Sequence, residues 1–185
     1  MLSGMRKIIL TTALLLLASV AYAERVLIQP QATFTRPHDT AAYAIGDLVG
    51  NSTSATLVVP MSFTIGNIQQ QPVYIRRAIA EVTSSGNANP SFRLHLFNTA
   101  PTVTNGDNGV FVATPATAWF CAIDINMFTT VPFSSANAGI GVPNNGSECA
   151  TSPPGTVVYG LLEARGAYQP SADVVFTITL EGYYP

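Results

Sequence analysis

Hydrophobic and polar residues alternate with a period of two along much of this chain. In residues 91–97, SFRLHLF, Phe92, Leu94 and Leu96 fall on one side of an extended backbone and Arg93 and His95 on the other. Residues 118–127 repeat the pattern: Trp119, Cys121, Ile123, Ile125 and Met127 face one way, and Phe120, Ala122, Asp124 and Asn126 the other. Residues 173–181 set Val174, Phe176, Ile178 and Leu180 against Thr177, Thr179 and Glu181. The longest run, 73–83, is partly apolar on both faces and reads as a strand covered on both sides over part of its length. Shorter strands are predicted at 26–28, 32–35, 56–65 and 156–165, the third placed at an edge or bulge by Pro60. Residues 43–51, apolar with Gly46 and Gly50, are expected to pack irregularly on the core.

These segments amount to about eight or nine strands, and no amphipathic helix is evident beyond the N-terminal segment. Evenly spaced strands between turn signals predict an all-β, antiparallel β-sandwich, with a jelly roll as the expected topology. No repeat of fixed period is present, which excludes propellers and solenoids.

Two polar stretches interrupt the pattern. After the 91–97 strand come Asn98, Pro101 and NGDNG at 105–109, and residues 128–154 are rich in Gly, Asn, Ser and Pro. Loops on a rigid sandwich can vary without unfolding it, so residues 99–110 and 128–154 are the predicted contact surface, with Asn105, Asp107, Asn108, Asn144 and Asn145 as candidate binding residues. Tyr168, in a hairpin-like loop, and Tyr183 and Tyr184, just past the last strand, are the candidate exposed aromatics. Tyr43, Tyr74, Trp119 and Tyr159 are read chiefly as core or sheet-packing residues.

Composition adds compartment and partner class. The 185 residues suit one domain, and only 10% are charged against roughly a quarter in ordinary soluble proteins. Residues 1–23 combine Arg6 and Lys7, an apolar run from Ile8 to Val20 and the small-x-small pattern Ala21-Tyr22-Ala23. They read as a signal peptide cleaved between Ala23 and Glu24, leaving no stable membrane anchor and a single domain at 24–185. Export to a periplasmic or extracellular site follows, and there Cys121 and Cys149 are expected to form a disulfide worth about 3 kcal/mol. The cleaved chain carries six basic and ten acidic residues, net −4, with no basic patch for nucleic acid. With few lysines to guard a sheet edge, self-association is expected if 73–83 or 91–98 lies at one.

No set of residues announces a reaction. His38 and His95 could be combined with Asp39, Asp107 or Asp124, but no nucleophile elbow accompanies them. Asp107 in NGDNG resembles a fragment of a calcium loop without its late Glu, and turn chemistry accounts for it; Asp124, Glu148 and Glu163 form no distinctive carboxylate pair. The chain is read as non-enzymatic, with no metal and no cofactor.

DTAAYAIGDLVGN (39–51) with VPMSF (59–63), and SFRLHLF (91–97) through PTV (101–103) and NGDNG (105–109), together resemble small tailed-bacteriophage virion proteins of the kind that decorate or cement the capsid. The resemblance covers roughly residues 29–181. It implies a protein that binds capsid through sheet edges and loops, often as a symmetric oligomer, and it carries over no catalytic residue. The signal peptide departs from that pattern, because capsids assemble in the cytoplasm. It makes a cell-envelope component the other expected partner, and a carbohydrate-binding or adhesin-like module the alternative role.

Overall fold

The computed structural model describes residues 25–66, 71–83, 90–128 and 137–185; the signal peptide, Ala23 and Glu24 lie outside the described residues. Thirteen strands are present among them: β1 (Val26–Ile28), β2 (Gln31–Thr35), β3 (Leu48–Val49), β4 (Met61–Thr64), β5 (Val73–Val82), β6 (Ser91–Phe97), β7 (Thr102–Val103), β8 (Ala113–Thr114), β9 (Trp119–Phe128), β10 (Asn137–Pro143), β11 (Cys149–Thr151), β12 (Val157–Ala164) and β13 (Val175–Tyr184). Strands β7 and β8 form a separate two-stranded ribbon, and the other eleven form one antiparallel sheet.

The eleven strands occupy eight positions, because β1 and β2 share one edge of β13, β10 and β11 one edge of β5, and β3 and β4 one edge of β12. The order across the sheet is β1/β2, β13, β5, β10/β11, β9, β6, β12, β3/β4. Numbered along the chain, the first position pairs with the eighth, the second with the seventh, the third with the sixth and the fourth with the fifth. That is the strand order of a jelly roll, as expected. The expected eight or nine strands match the positions; Pro30, residues 50–60 and the 144–148 turn break three of them in two.

The sheet folds over so that its two halves share a core. Phe176, Ile178 and Leu180 of β13 and Ile75, Ala78 and Ala80 of β5 meet Phe92, Leu94 and Leu96 of β6, Ile123 and Ile125 of β9 and Phe63 of β4. Phe92 lies edge-on to Phe176, with ring centroids 5.4 Å apart. Each large side chain removed from water here contributes about 1.5–3 kcal/mol.

Along one seam the halves are stitched together. Strand β10 pairs with β5 on one side and with β9 on the other. Gly139 and Gly141 permit this approach, since a Cβ on either would stand 2.6 or 2.5 Å from the carbonyl oxygen of Asn126 or Asp124. The expected disulfide, Cys121 to Cys149, spans the same seam, with Cα atoms 5.6 Å apart. Along the other seam β2 and β4 lie beside each other without a ladder, and a groove of about 480 Å³ runs between Thr33 and Phe34 on one side and Val59, Pro60 and Met61 on the other.

Three expectations are corrected. Residues 128–154 are not a continuous loop, because β10 and β11 form within them and Cys149 opens a strand. Strands β5 and β6 are interior, not edges, so the condition attached to self-association at 73–83 and 91–98 is not met. Tyr183 and Tyr184 belong to β13 and are 7% and 4% exposed, because pairing with β1 and β5 continues past Glu181.

Candidate functional site

Residues 98–118 leave β6 and return at β9 by crossing the outer face of β12 and β6 as a flap. Beneath it Leu48, Phe97, Ala118 and Leu161 form a second small core, with Phe111, Val103 and Tyr159 packed against them. The turn at 105–109 fastens the flap. Asp107 Oδ2 accepts from Arg36 Nη2 at 2.8 Å, while its Oδ1 accepts from Tyr43 O–H at 2.5 Å and Gly50 N–H at 2.7 Å. Arg36 also donates from Nε to the Tyr43 hydroxyl and from Nη1 to the Ser171 carbonyl at 3.2 Å. Both side chains of the Arg36–Asp107 pair are fully buried. Burial opposes the Arg36 charge, yet Tyr43 and Asp107 outweigh it and hold the guanidinium above its usual pKa. Burial above all pushes the Tyr43 hydroxyl up, so it stays protonated and can donate.

Beyond the flap, the outer face of β12, β6 and β9 carries a run of paired charges. Arg93 and Asp124 sit directly opposite each other in register and form a two-pronged pair, Nε to Oδ1 at 2.6 Å and Nη2 to Oδ2 at 2.8 Å. That pairing holds the Asp124 carboxyl below its ordinary pKa. Glu163 bridges His95 Nε2 at 2.7 Å and Arg165 Nη1 at 3.0 Å. The other wall of the His95 site is Phe111 of the flap, stacked on the imidazole at 4.4 Å.

Where flap and sheet meet, a groove of about 360 Å³ opens, lined by His95, Phe97, Phe111, Val112, Ala116 and Trp119. Trp119 is 47% exposed and Val112 43%. A register shift between Leu96 and Phe97 pairs Phe97 with Trp119 but Leu96 with Cys121. That bulge turns the indole outward, against its expected place on the buried face with Cys121. The groove offers apolar walls, one exposed indole and a single polar corner at His95 and Glu163. Its walls suit an apolar or aromatic group.

The two histidines differ in environment. Burial lowers the His95 pKa from 6.5 despite Glu163, so the fold favours the neutral ring; its contribution to stability is present above pH 6.5 and is lost as pH falls toward the folded value. The exposed His38 is raised, first by its hydrogen bond to Asp173, so its contribution is present below pH 6.5 and is lost as pH rises through the folded value. Proton NMR titration should therefore give a midpoint above 6.5 for His38 and below it for His95. A His95 midpoint at or above 6.5 would contradict its buried placement.

The structure scatters the predicted binding residues. Asp107 is 7% exposed and serves the latch, so the expectation that it lies on a contact loop is not met. Asn105 Nδ2 donates to the Val110 carbonyl at 2.7 Å, and Asn108 sits at φ 63° with its N–H donating to Leu48 at 2.9 Å. Asn144 and Asn145 are exposed on the turn between β10 and β11. Tyr168 is buried, stacked on Tyr43 at 4.9 Å. Tyr183 packs on Tyr74 at 5.3 Å under the Arg25 guanidinium and donates to Glu148 Oε2 at 2.6 Å, while Tyr184 donates to the Ile65 carbonyl. None of the three tyrosines is the exposed ring expected. Sequence reasoning missed Phe111 and the role of Arg36, whose partner lies 71 residues away.

Fold and site together define a jelly-roll sandwich with a flap-bordered apolar groove. No protein-family model matches the chain, and no curated protein matches it. Among solved structures it is similar to a chain described as belonging to the cyanophage Pam1 capsid asymmetric unit, at 13% identity and a TM-score of 0.33, over 88% of each chain.

Proposed function

We propose that this chain is an exported, non-enzymatic protein that works by protein–protein contact through the groove at Trp119. The observation that carries the reading is the indole itself: a large ring, 47% exposed, beside Val112 and Phe111 in an otherwise apolar groove. The disulfide supports an oxidising compartment. The resemblance of residues 39–51, 59–63, 91–97 and 101–109 to phage decoration proteins supports a capsid or cell-envelope component as partner.

A photo-crosslinking amino acid at position 112, tested separately on envelope fractions and on phage particles, should give one dominant adduct that Trp119→Ala abolishes. That substitution should leave stability within about 1 kcal/mol, since the ring is half exposed. An adduct indifferent to Trp119→Ala, or none above background, would remove the reading. The carbohydrate-binding alternative has one favourable observation, the same indole beside the His95–Glu163 corner, where a sugar ring could stack and donate. Glycan binding lost in Trp119→Ala, with no protein adduct, would decide for it.

A further inference from the structure

The opposite outer face carries a second, differently charged recess. Pairing of β13 with β5 skips a residue: Glu181 lies opposite Arg77, but Gly182 lies opposite Ile75, so Arg76 is an extra residue on β5. Side chains of a regular strand alternate between faces, yet here two consecutive arginines are both exposed. Position 182 must be glycine for this, because a Cβ there would stand 2.3 Å from the Tyr74 carbonyl oxygen. The result is a recess of about 500 Å³ lined by Leu27, Ile28, Arg76, Arg77, Val142 and Glu181.

Its chemistry is amphipathic. Leu27 is 74% exposed and Val142 63%, with Val26 and Ile140 exposed on the same two strands. Arg25, Arg76 and Arg77 are three of the six basic residues after position 23, gathered at one end of one sheet in a chain of net negative charge. Their nearby carboxylates are Glu148 and Glu181. Arg77 is held by Glu181, but the Arg76 pair is a single long contact, Nε to Glu148 Oε1 at 3.3 Å, with both side chains partly exposed. Arg25 spends its charge on the Tyr183 ring, 4.5 Å from the centroid. A net positive recess between aliphatic walls is complementary to a carboxylate flanked by apolar side chains.

We propose that the recess over Gly182 is a second docking site, for an extended partner polypeptide segment that presents a carboxylate between two aliphatic side chains on one face, at every second residue. Such a segment sets its two aliphatic side chains against Leu27 and Val142 and the carboxylate between them against Arg76 and Arg77. The site is independent of the Trp119 groove.

The test uses a fluorescein-labelled Leu-Ser-Glu-Ser-Leu peptide and the Leu-Ser-Gln-Ser-Leu control, read by anisotropy on the cleaved chain with its disulfide intact. The acidic probe should bind and the control should bind at least tenfold more weakly, with Arg76→Gln/Arg77→Gln reducing affinity by roughly tenfold. Val142→Asp, which leaves both arginines in place, should weaken binding comparably. Trp119→Ala should leave it unchanged, which separates failure of this site from failure of the groove. No binding of the acidic probe, or binding indifferent to the arginine and Val142 substitutions, would overturn the proposal. So would binding to phosphatidylserine vesicles in place of the peptide, which would assign the recess to a lipid surface.

Discussion

Asp107→Ala is expected to destabilise the fold by roughly 3–5 kcal/mol, a large share of the 5–15 kcal/mol that holds a typical domain together. The size follows from what is left behind. Arg36 has no exposed side-chain surface, and without Asp107 its remaining acidic partner is Asp39, 3.2 Å away and one-third exposed. The Tyr43 hydroxyl and the Gly50 N–H lose their acceptor at the same time. The measurement is urea unfolding of the single variant beside an Arg36→Met/Asp107→Leu double variant. The double variant should recover only the part of the loss that comes from the unpaired guanidinium, since a packed apolar pair can replace a buried ion pair but leaves the Tyr43 hydroxyl and the Gly50 N–H without their acceptor. A loss below about 1 kcal/mol in Asp107→Ala would mean that water reaches the latch. Because the turn at 105–109 fastens the flap, limited proteolysis of Asp107→Ala should cut first within residues 98–118.

The second large effect is expected at the disulfide. Cys121 and Cys149 lie 28 residues apart, and releasing a loop of that size in the unfolded chain removes roughly 3–4 kcal/mol. Cys121→Ala/Cys149→Ala should lower the denaturation midpoint accordingly, and reductant should do the same to the unaltered chain while leaving the double variant unaffected. Equal midpoints for the oxidised chain and the variant would show that the bridge constrains nothing the strands do not already hold.

The parts of this architecture that the sequence discloses are those where burial alone decides which residue is used. Strands β6, β9 and β13 alternate plainly because their inner faces need Leu, Ile and Phe. Strand β10 escaped notice because its inner positions are Asn137, Gly139, Gly141 and Pro143, chosen for closeness to β9 rather than for hydrophobicity. Asp107 reads as turn chemistry for a sound reason, since it does occupy a turn, but its carboxylate is committed to Arg36, far away in the chain. Bulges defeat period-two reasoning outright: one shifts Trp119 out of the core, and another sets Arg76 and Arg77 side by side at the surface. Both candidate sites lie at such slips of register, and the sequence pattern carries no mark of either.

The unequal seams give the molecule a mechanical polarity. Where β10 joins β5 to β9 the halves share backbone hydrogen bonds and a covalent bridge, whereas β2 and β4 meet through side chains alone. The first seam acts as the spine of a book and the second as its fore-edge. Tension that pulls the Trp119 face away from the Gly182 face would part the sandwich at β2 and β4 while the spine held. A protein anchored on both faces would therefore yield by opening before it unravels, and would close again when the load is released.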